Sequence, residues 1–194
     1  MRKPGKLTVI IGPMFAGKTK RLIKEVQKES KGGKVIVFKS AMDNRYSAAE
    51  VVSHDGLRIH AEILGKGDAC ISSLEAAARE YDVIAIDEGQ FWQGTKGFAD
   101  ALDRIASNSR SVYVALLNKD IYGNPFEVSR DLVAIADRIH FIESKCSKCG
   151  GKASFTQRVV NGTETFGDLF VVAGSDLYEA RCRKHFVRPG SKLL

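Results

Sequence analysis

The chain has 194 residues, 44% of them apolar, enough to bury the core of one α/β domain and a small appendage without disulfide staples. It contains no apolar run of about 18 residues, and Met1-Arg2-Lys3-Pro4-Gly5 leads straight into a strand pattern; the expectation is a cytoplasmic protein with no membrane anchor or export signal. The net charge of +7 is spread along the sequence, Arg181, Arg183, Lys184, Arg188 and Lys192 included, which reads as solvated surface and phosphate binding rather than a nucleic-acid stripe.

The first predicted strand, Leu7–Ile11, runs into Gly12-Pro13-Met14-Phe15-Ala16-Gly17-Lys18-Thr19, a match to GxxxxGK[ST], and a helix is predicted over Lys18–Ser30, closed by Gly32-Gly33. Strand, glycine loop and helix in that order form a phosphate cradle. Backbone N–H groups converge on the β-phosphate, Lys18 neutralises β/γ oxygens, and Thr19 offers its hydroxyl to Mg²⁺. A strand over Val35–Phe38 follows. The stretch from Ser40 to Gly67 has no clear period and is expected to be a long functional or poorly ordered loop. A helix is predicted over Ser72–Glu80, with Ser72 and Glu75 in a capping-box pattern.

The next strand, Val83–Ile86, ends in Asp87-Glu88. Carboxylates at the carboxyl edge of a buried strand, beside a phosphate loop, can hold Mg²⁺ and face an attacking nucleophile. A helix over Phe98–Ala106, a strand over Val112–Leu117, a helix over Asp131–Asp137 and a strand over Ile139–Ile142 complete the alternation. It predicts a P-loop NTPase-like α/β core with a mostly parallel sheet covered on both faces. After Glu143 the alternation stops, so two units are expected, 1–143 for nucleotide binding and 144–194 for a small metal-binding unit with a basic tail. In the second unit, Cys146-x-x-Cys149 and Cys182-x-x-His185 have the ligand spacing of a tetrahedral Cys₃His zinc site. The long excursion between the pairs contains Asn161-Gly162, suited to a type I′ hairpin turn, and Cys70 falls outside both pairs as a small buried residue.

With GPMFAGKT at 12–19, DNRY at 43–46, SHDG at 53–56, DEGQF at 87–91, NPF at 124–126, ASFTQR at 153–158 and the cysteine pairs, the chain resembles the zinc-containing thymidine kinases of animal cytosol and many bacteria. The resemblance implies transfer of the γ-phosphoryl group of ATP to the 5′-hydroxyl of thymidine, a zinc-tethered lasso over the base, feedback by dTTP and a homotetramer. It implies Glu88 as general base and Asp87 with Thr19 on the magnesium side. The remaining phosphate contacts would come from the cradle, Gly89 and Gln90, with Asp43 and Arg45 in a loop near phosphates and metal. The nucleoside would be lined by Met14, Gln90, Phe91, Leu117, Ile121, Phe126, Thr156, Leu169, Phe170, Val171, Val172, Ala173 and Tyr178; Trp92 reads as packing.

The sequence departs from that family at Asn118, where Asp is usual, at Ile121, where an aromatic often packs, and at Ala173-Gly174 in place of a glycine pair. The competing reading is a nucleotide hydrolase or switch joined to a zinc-ribbon nucleic-acid module. With 8% aromatic residues the chain shows no interleaved basic and aromatic stripe to support it.

Overall fold

The structure is a computed structural model that describes residues 5–42, 50–53, 55–169 and 177–190. Its elements in chain order are β1 (Lys6–Gly12), α1 (Lys18–Glu29), β2 (Val35–Ser40), β3 (Glu50–Val52), β4 (Arg58–His60), β5 (Glu62–Leu64), α2 (Asp68–Glu80), β6 (Val83–Ile86), a 3₁₀ turn (Gly89–Trp92), α3 (Phe98–Ser107), β7 (Ser111–Leu117), α4 (Glu127–Ile135) and β8 (Arg138–Phe141). Then come β9 (Ser144–Lys145), β10 (Lys152–Ala153), β11 (Phe155–Val160), β12 (Thr163–Glu164) and β13 (Tyr178–Arg181).

The main sheet has six parallel strands in the order β5-β2-β6-β7-β1-β8. Its central strands are near-continuous apolar runs because both faces are covered. Leu7, Val9 and Ile11 of β1 point to one face, where they pack with Leu74 of α2, Leu102 of α3 and Leu132 of α4. Ile10 points to the other, against Leu22, Ile23 and Val26 of α1. Those three recur at helical spacing, so α1 lies flat on the sheet and its N-terminus stays at the carboxyl end of β1. Trp92 is buried in the first layer, stacked on Phe98 with centroids 5.6 Å apart, and its Nε1 donates to the Gly65 carbonyl at 2.7 Å.

Three expectations are corrected. The stretch after Ser40 is not a bare loop. Where it is described it carries the antiparallel pair β3–β4 and the edge strand β5, which pairs with β2 from Phe38↔Glu62 to Ser40↔Leu64. Strands of three residues are too short to display a period, so only the partner strand reveals them. Helix α2 begins at Asp68, a turn before Ser72, with Gly67 as an N-cap that makes no side-chain bond. Burial of Cys70 and Leu74, four residues apart on one face, extends it backward and leaves the Ser72/Glu75 pattern inside the helix. Helix α4 likewise starts at Glu127 because Val128 and Leu132 bury together, and it stops at Ile135, where Ala136 turns extended.

Beyond β8 the chain forms a two-stranded sheet of β9 and β10 and a three-stranded sheet ordered β12-β11-β13. Asn161 and Gly162 link β11 to β12 with φ of 50° and 77°, as an Asn-Gly hairpin turn requires.

Leu22 is fully buried under the helix that follows the cradle, so Leu22→Ala is expected to destabilise the fold by about 2–5 kcal/mol. Urea unfolding followed by fluorescence of the one tryptophan, Trp92, measures this, and an unchanged midpoint would contradict the packing described.

Candidate active site

The carboxyl ends of β1, β6 and β7 bring the sequence motifs together. Parallel pairing sets Gly12 opposite Leu117 and Ile86 opposite Val114, so the loop after β1 and the acids after β6 open at the same edge. At Gly12 the backbone passes so close to the residue that follows β8 that a Cβ would lie 2.1 Å from the Ile142 carbonyl oxygen. At the far end of the loop Gly17 has φ 83° and caps α1, the left-handed turn glycine adopts without steric cost. Phe15 is exposed and has φ 62°, a strained conformation for a side chain of its size. Lys18 is buried, and its Nζ donates to the Pro13 carbonyl at 2.8 Å, closing the loop around its own cation.

Asp87 is buried, and the Thr19 hydroxyl donates toward its carboxylate oxygens at 3.0 and 3.2 Å. Two hard oxygens that close match the spacing of adjacent ligands about Mg²⁺, roughly 2.9 Å for an octahedron with 2.0–2.1 Å bonds, so the residues fit that ion. Glu88 is half-buried with φ 54° and ψ 45°. A non-glycine residue in this region costs on the order of 1–3 kcal/mol, and such strain gathers at functional sites. The twist turns the chain from β6 into the 3₁₀ turn. There Gln90 donates through Nε2 to Glu88 Oε2 at 2.5 Å and accepts through Oε1 from Leu117 N–H at 3.0 Å.

A further side of the site comes from the chain beyond β8. Thr156 on β11 accepts the Met14 N–H at 3.0 Å, and the Ser144 hydroxyl donates to the Phe15 carbonyl at 3.1 Å. Asn118 donates to the Ser154 carbonyl at 3.0 Å, while its own N–H reaches the Gly12 carbonyl at 3.3 Å.

In the same part of the chain, Cys146, Cys149, Cys182 and His185 bring their ligand atoms within 4.8 Å of one another. Cys149 and Cys182 sulfurs are 3.9 Å apart, and His185 Nδ1 lies 3.2 Å from Cys182 Sγ and 3.7 Å from Cys146 Sγ. Zinc bonds of about 2.3 Å to sulfur and 2.0–2.1 Å to nitrogen require edges of roughly 3.5–3.8 Å, so the set fits a tetrahedral ion. Burial pushes the Cys146 thiol up. The backbone N–H groups around the loop, from Cys182, Lys148 and Cys149, together with the His185 ring, outweigh that and bring it down to about 6, toward the thiolate a metal needs.

A family model described as thymidine kinase matches residues 5–186. The chain belongs to the thymidine kinase family. It is similar to the thymidine kinase of Pyrobaculum aerophilum, 41% identical over 186 residues that cover 94% of this chain and 99% of that one. It is also similar to the thymidine kinase of Thermococcus kodakarensis, 39% identical over 194 residues covering 97% and 98%.

Among the positions expected to line a nucleoside in this thymidine kinase family member, Met14, Gln90, Leu117 and Thr156 are joined by the bonds above. Phe91 and Phe126 are buried in the sheet's larger core cluster, and Ile121 is buried in the loop after β7. Leu169 is exposed, and Tyr178 is buried beside Arg158. Asp43, Arg45, His54, Phe170, Val171, Val172 and Ala173 lie outside the described residues. Sequence reasoning missed three supports. Ser129 of α4 donates to the Leu117 carbonyl at 2.7 Å, Tyr122 bonds both polar backbone atoms of Gly167, and buried Arg158 bonds the Asp168 carbonyl and the Tyr178 hydroxyl. Only Arg158 left a signal, a cation within a strand whose residues are buried from Phe155 to Val159.

Thr156→Val would leave the Met14 N–H without its acceptor. The expected cost is about 1–3 kcal/mol of stability, with faster hydrogen exchange over residues 12–16. Native exchange rates in that loop would contradict the link.

Proposed function

We propose that this chain is an ATP:thymidine 5′-phosphotransferase, giving dTMP and ADP in nucleotide salvage for DNA synthesis and accepting deoxyuridine as well. The observation that carries the reading is the meeting of the phosphate loop and the Asp87-Glu88 pair at one sheet edge, in a chain matched over nearly its whole length by thymidine kinases. Residues Gly12 to Thr19 hold the triphosphate, with loop amides and Lys18 on the β/γ oxygens. Thr19 and Asp87 hold the Mg²⁺ that accompanies ATP, and the ion, when bound, neutralises charge on those oxygens. Gly89 and Gln90 complete the floor beneath the phosphates, and the family resemblance adds Asp43 and Arg45 to the phosphate-side residues.

Glu88 accepts the proton of the 5′-hydroxyl as its oxygen bonds to the γ-phosphorus. The bond to the β–γ bridging oxygen breaks, and ADP leaves with the electron pair. Met14, Phe91, Leu117, Ile121, Phe126, Thr156 and Tyr178 enclose the nucleoside, and the family resemblance adds Leu169, Phe170, Val171, Val172 and Ala173 to that set. Residues 1–143 work as the nucleotide-binding unit and 144–194 as the lasso unit, tethered by zinc on Cys146, Cys149, Cys182 and His185. The family resemblance further supports a cytoplasmic homotetramer subject to dTTP feedback; among the described residues no helix is long and apolar enough to cross a membrane.

The deciding experiment follows γ-labelled phosphate from ATP onto thymidine, deoxyuridine and deoxycytidine. Thymidine and deoxyuridine are expected to exceed deoxycytidine by about 10²–10⁴ in kcat/KM, since cytosine would reverse two buried hydrogen bonds at the base edge. Label released only as free phosphate would reject the assignment. In the same assay Glu88→Gln is expected to lower kcat by about 10²–10⁴ while ATP and thymidine bind within a few-fold of the parent. Parental turnover in that variant would remove Glu88 from the base role.

Elemental analysis of purified protein is expected to find close to one zinc per chain. Cys149→Ser should loosen residues 150–181 in hydrogen exchange before the parallel sheet. Metal-free protein with that segment fully protected would refute the tether.

A further inference from the structure

Gln90 is 2% exposed and sits in the turn directly after the Asp87-Glu88 pair. Its amide orientation is forced. The Leu117 backbone N–H can only donate, so the group facing it must be the amide oxygen, and the amide nitrogen is thereby turned onto Glu88 Oε2. The Leu117 end is itself anchored. It closes β7 opposite Gly12 of the phosphate loop, and its carbonyl accepts from Ser129 Oγ at 2.7 Å. Gln90 therefore refers the direction of one carboxylate oxygen to the strand that flanks the phosphate cradle.

Glu88 needs such a reference. A glutamate side chain has three torsions, and here it starts from a left-handed backbone position at the mouth of an open edge. A carboxylate oxygen offers more than one lone pair, so one donor on Oε2 fixes the group's direction without exhausting its capacity to take a proton.

We propose that Gln90 is a positioning residue for Glu88, holding the carboxylate where it meets the attacking hydroxyl, rather than only a wall against the nucleoside. The inference rests on the phosphotransferase reading above. It separates two roles for Gln90 that differ in kinetics. A wall contributes to nucleoside binding whatever residue stands at 88, whereas a positioning group matters only while there is a base to position.

The test is a double-mutant cycle with γ-labelled ATP and thymidine, using Gln90→Met, Glu88→Gln and the pair combined. Gln90→Met keeps the length and removes both polar groups. It is expected to lower kcat by about 10–100-fold with thymidine KM within about threefold, and to change kcat by less than about threefold in the Glu88→Gln background. An equal loss in both backgrounds, a loss confined to KM, or parental kcat in Gln90→Met would each overturn the proposal.

Circular dichroism and thermal melting check folding. If Gln90→Met does not fold, Gln90→Glu takes its place, because it keeps an acceptor for Leu117 and replaces the donor with a second carboxylate; the same background dependence is required of it. Parental protein that places no label on thymidine would defeat the phosphotransferase reading and this inference with it. Label transfer by the parent together with equal losses in the two backgrounds would defeat this inference alone.

Discussion

Parallel pairing of β1 with β7 is the constraint on which the rest of the site depends. Seven consecutive pairs, from Lys6↔Ser111 to Gly12↔Leu117, set where the phosphate loop leaves the sheet and where the loop after β7 begins. Because β7 also pairs with β6, the same register carries Asp87 and Glu88 to that edge. A slip of one residue would exchange the two faces of β1 and turn Leu7, Val9 and Ile11 from the larger core toward α1. Register is therefore enforced by burial on both sides, and the site inherits its rigidity from the core beneath it.

The chain beyond β8 reaches this edge through a few polar bonds. Thr156 on the Met14 amide, Ser144 on the Phe15 carbonyl and Asn118 on the Ser154 carbonyl tie it to the phosphate loop and to the end of β7. Behind them Phe155 stacks on Phe186 at 4.5 Å, with Lys119 Nζ 4.3 Å and Arg183 Cζ 5.1 Å from the Phe155 centroid. Burial, and then the Arg183 and Arg188 charges, hold the Lys119 ammonium below the ordinary lysine range. Among the described residues, the buried cluster at the cysteine end is small, Cys146, Ala153 and Ala180, so a metal on the four ligands would have more to hold there than in a larger domain.

Strain and support are paired at the edge. Phe15 and Glu88 both carry positive φ. Phe15 has its carbonyl bonded by Ser144, and Glu88 has its carboxylate bonded by Gln90. Ser144 reaches Phe15 from 129 positions away, whereas Gln90 is only two residues from Glu88 and is itself held by the distant Leu117 N–H; an unfavourable backbone state persists only with such support.

The sequence by itself determined the parallel α/β class, the phosphate loop, the acidic strand end and the Cys₃His set, because each is a local pattern with a chemical reason for its spacing. It also determined the Asn161-Gly162 turn, where two residues need left-handed φ. It did not determine β3, β4 and β5, whose three-residue lengths carry no period, nor the true starts of α2 and α4, which are set by which side chains the sheet buries. Gln90 was legible as a candidate site residue, but its bond to Glu88 was not. That bond depends on an N–H 27 positions away, which a sequence cannot place beside it until the strands have paired.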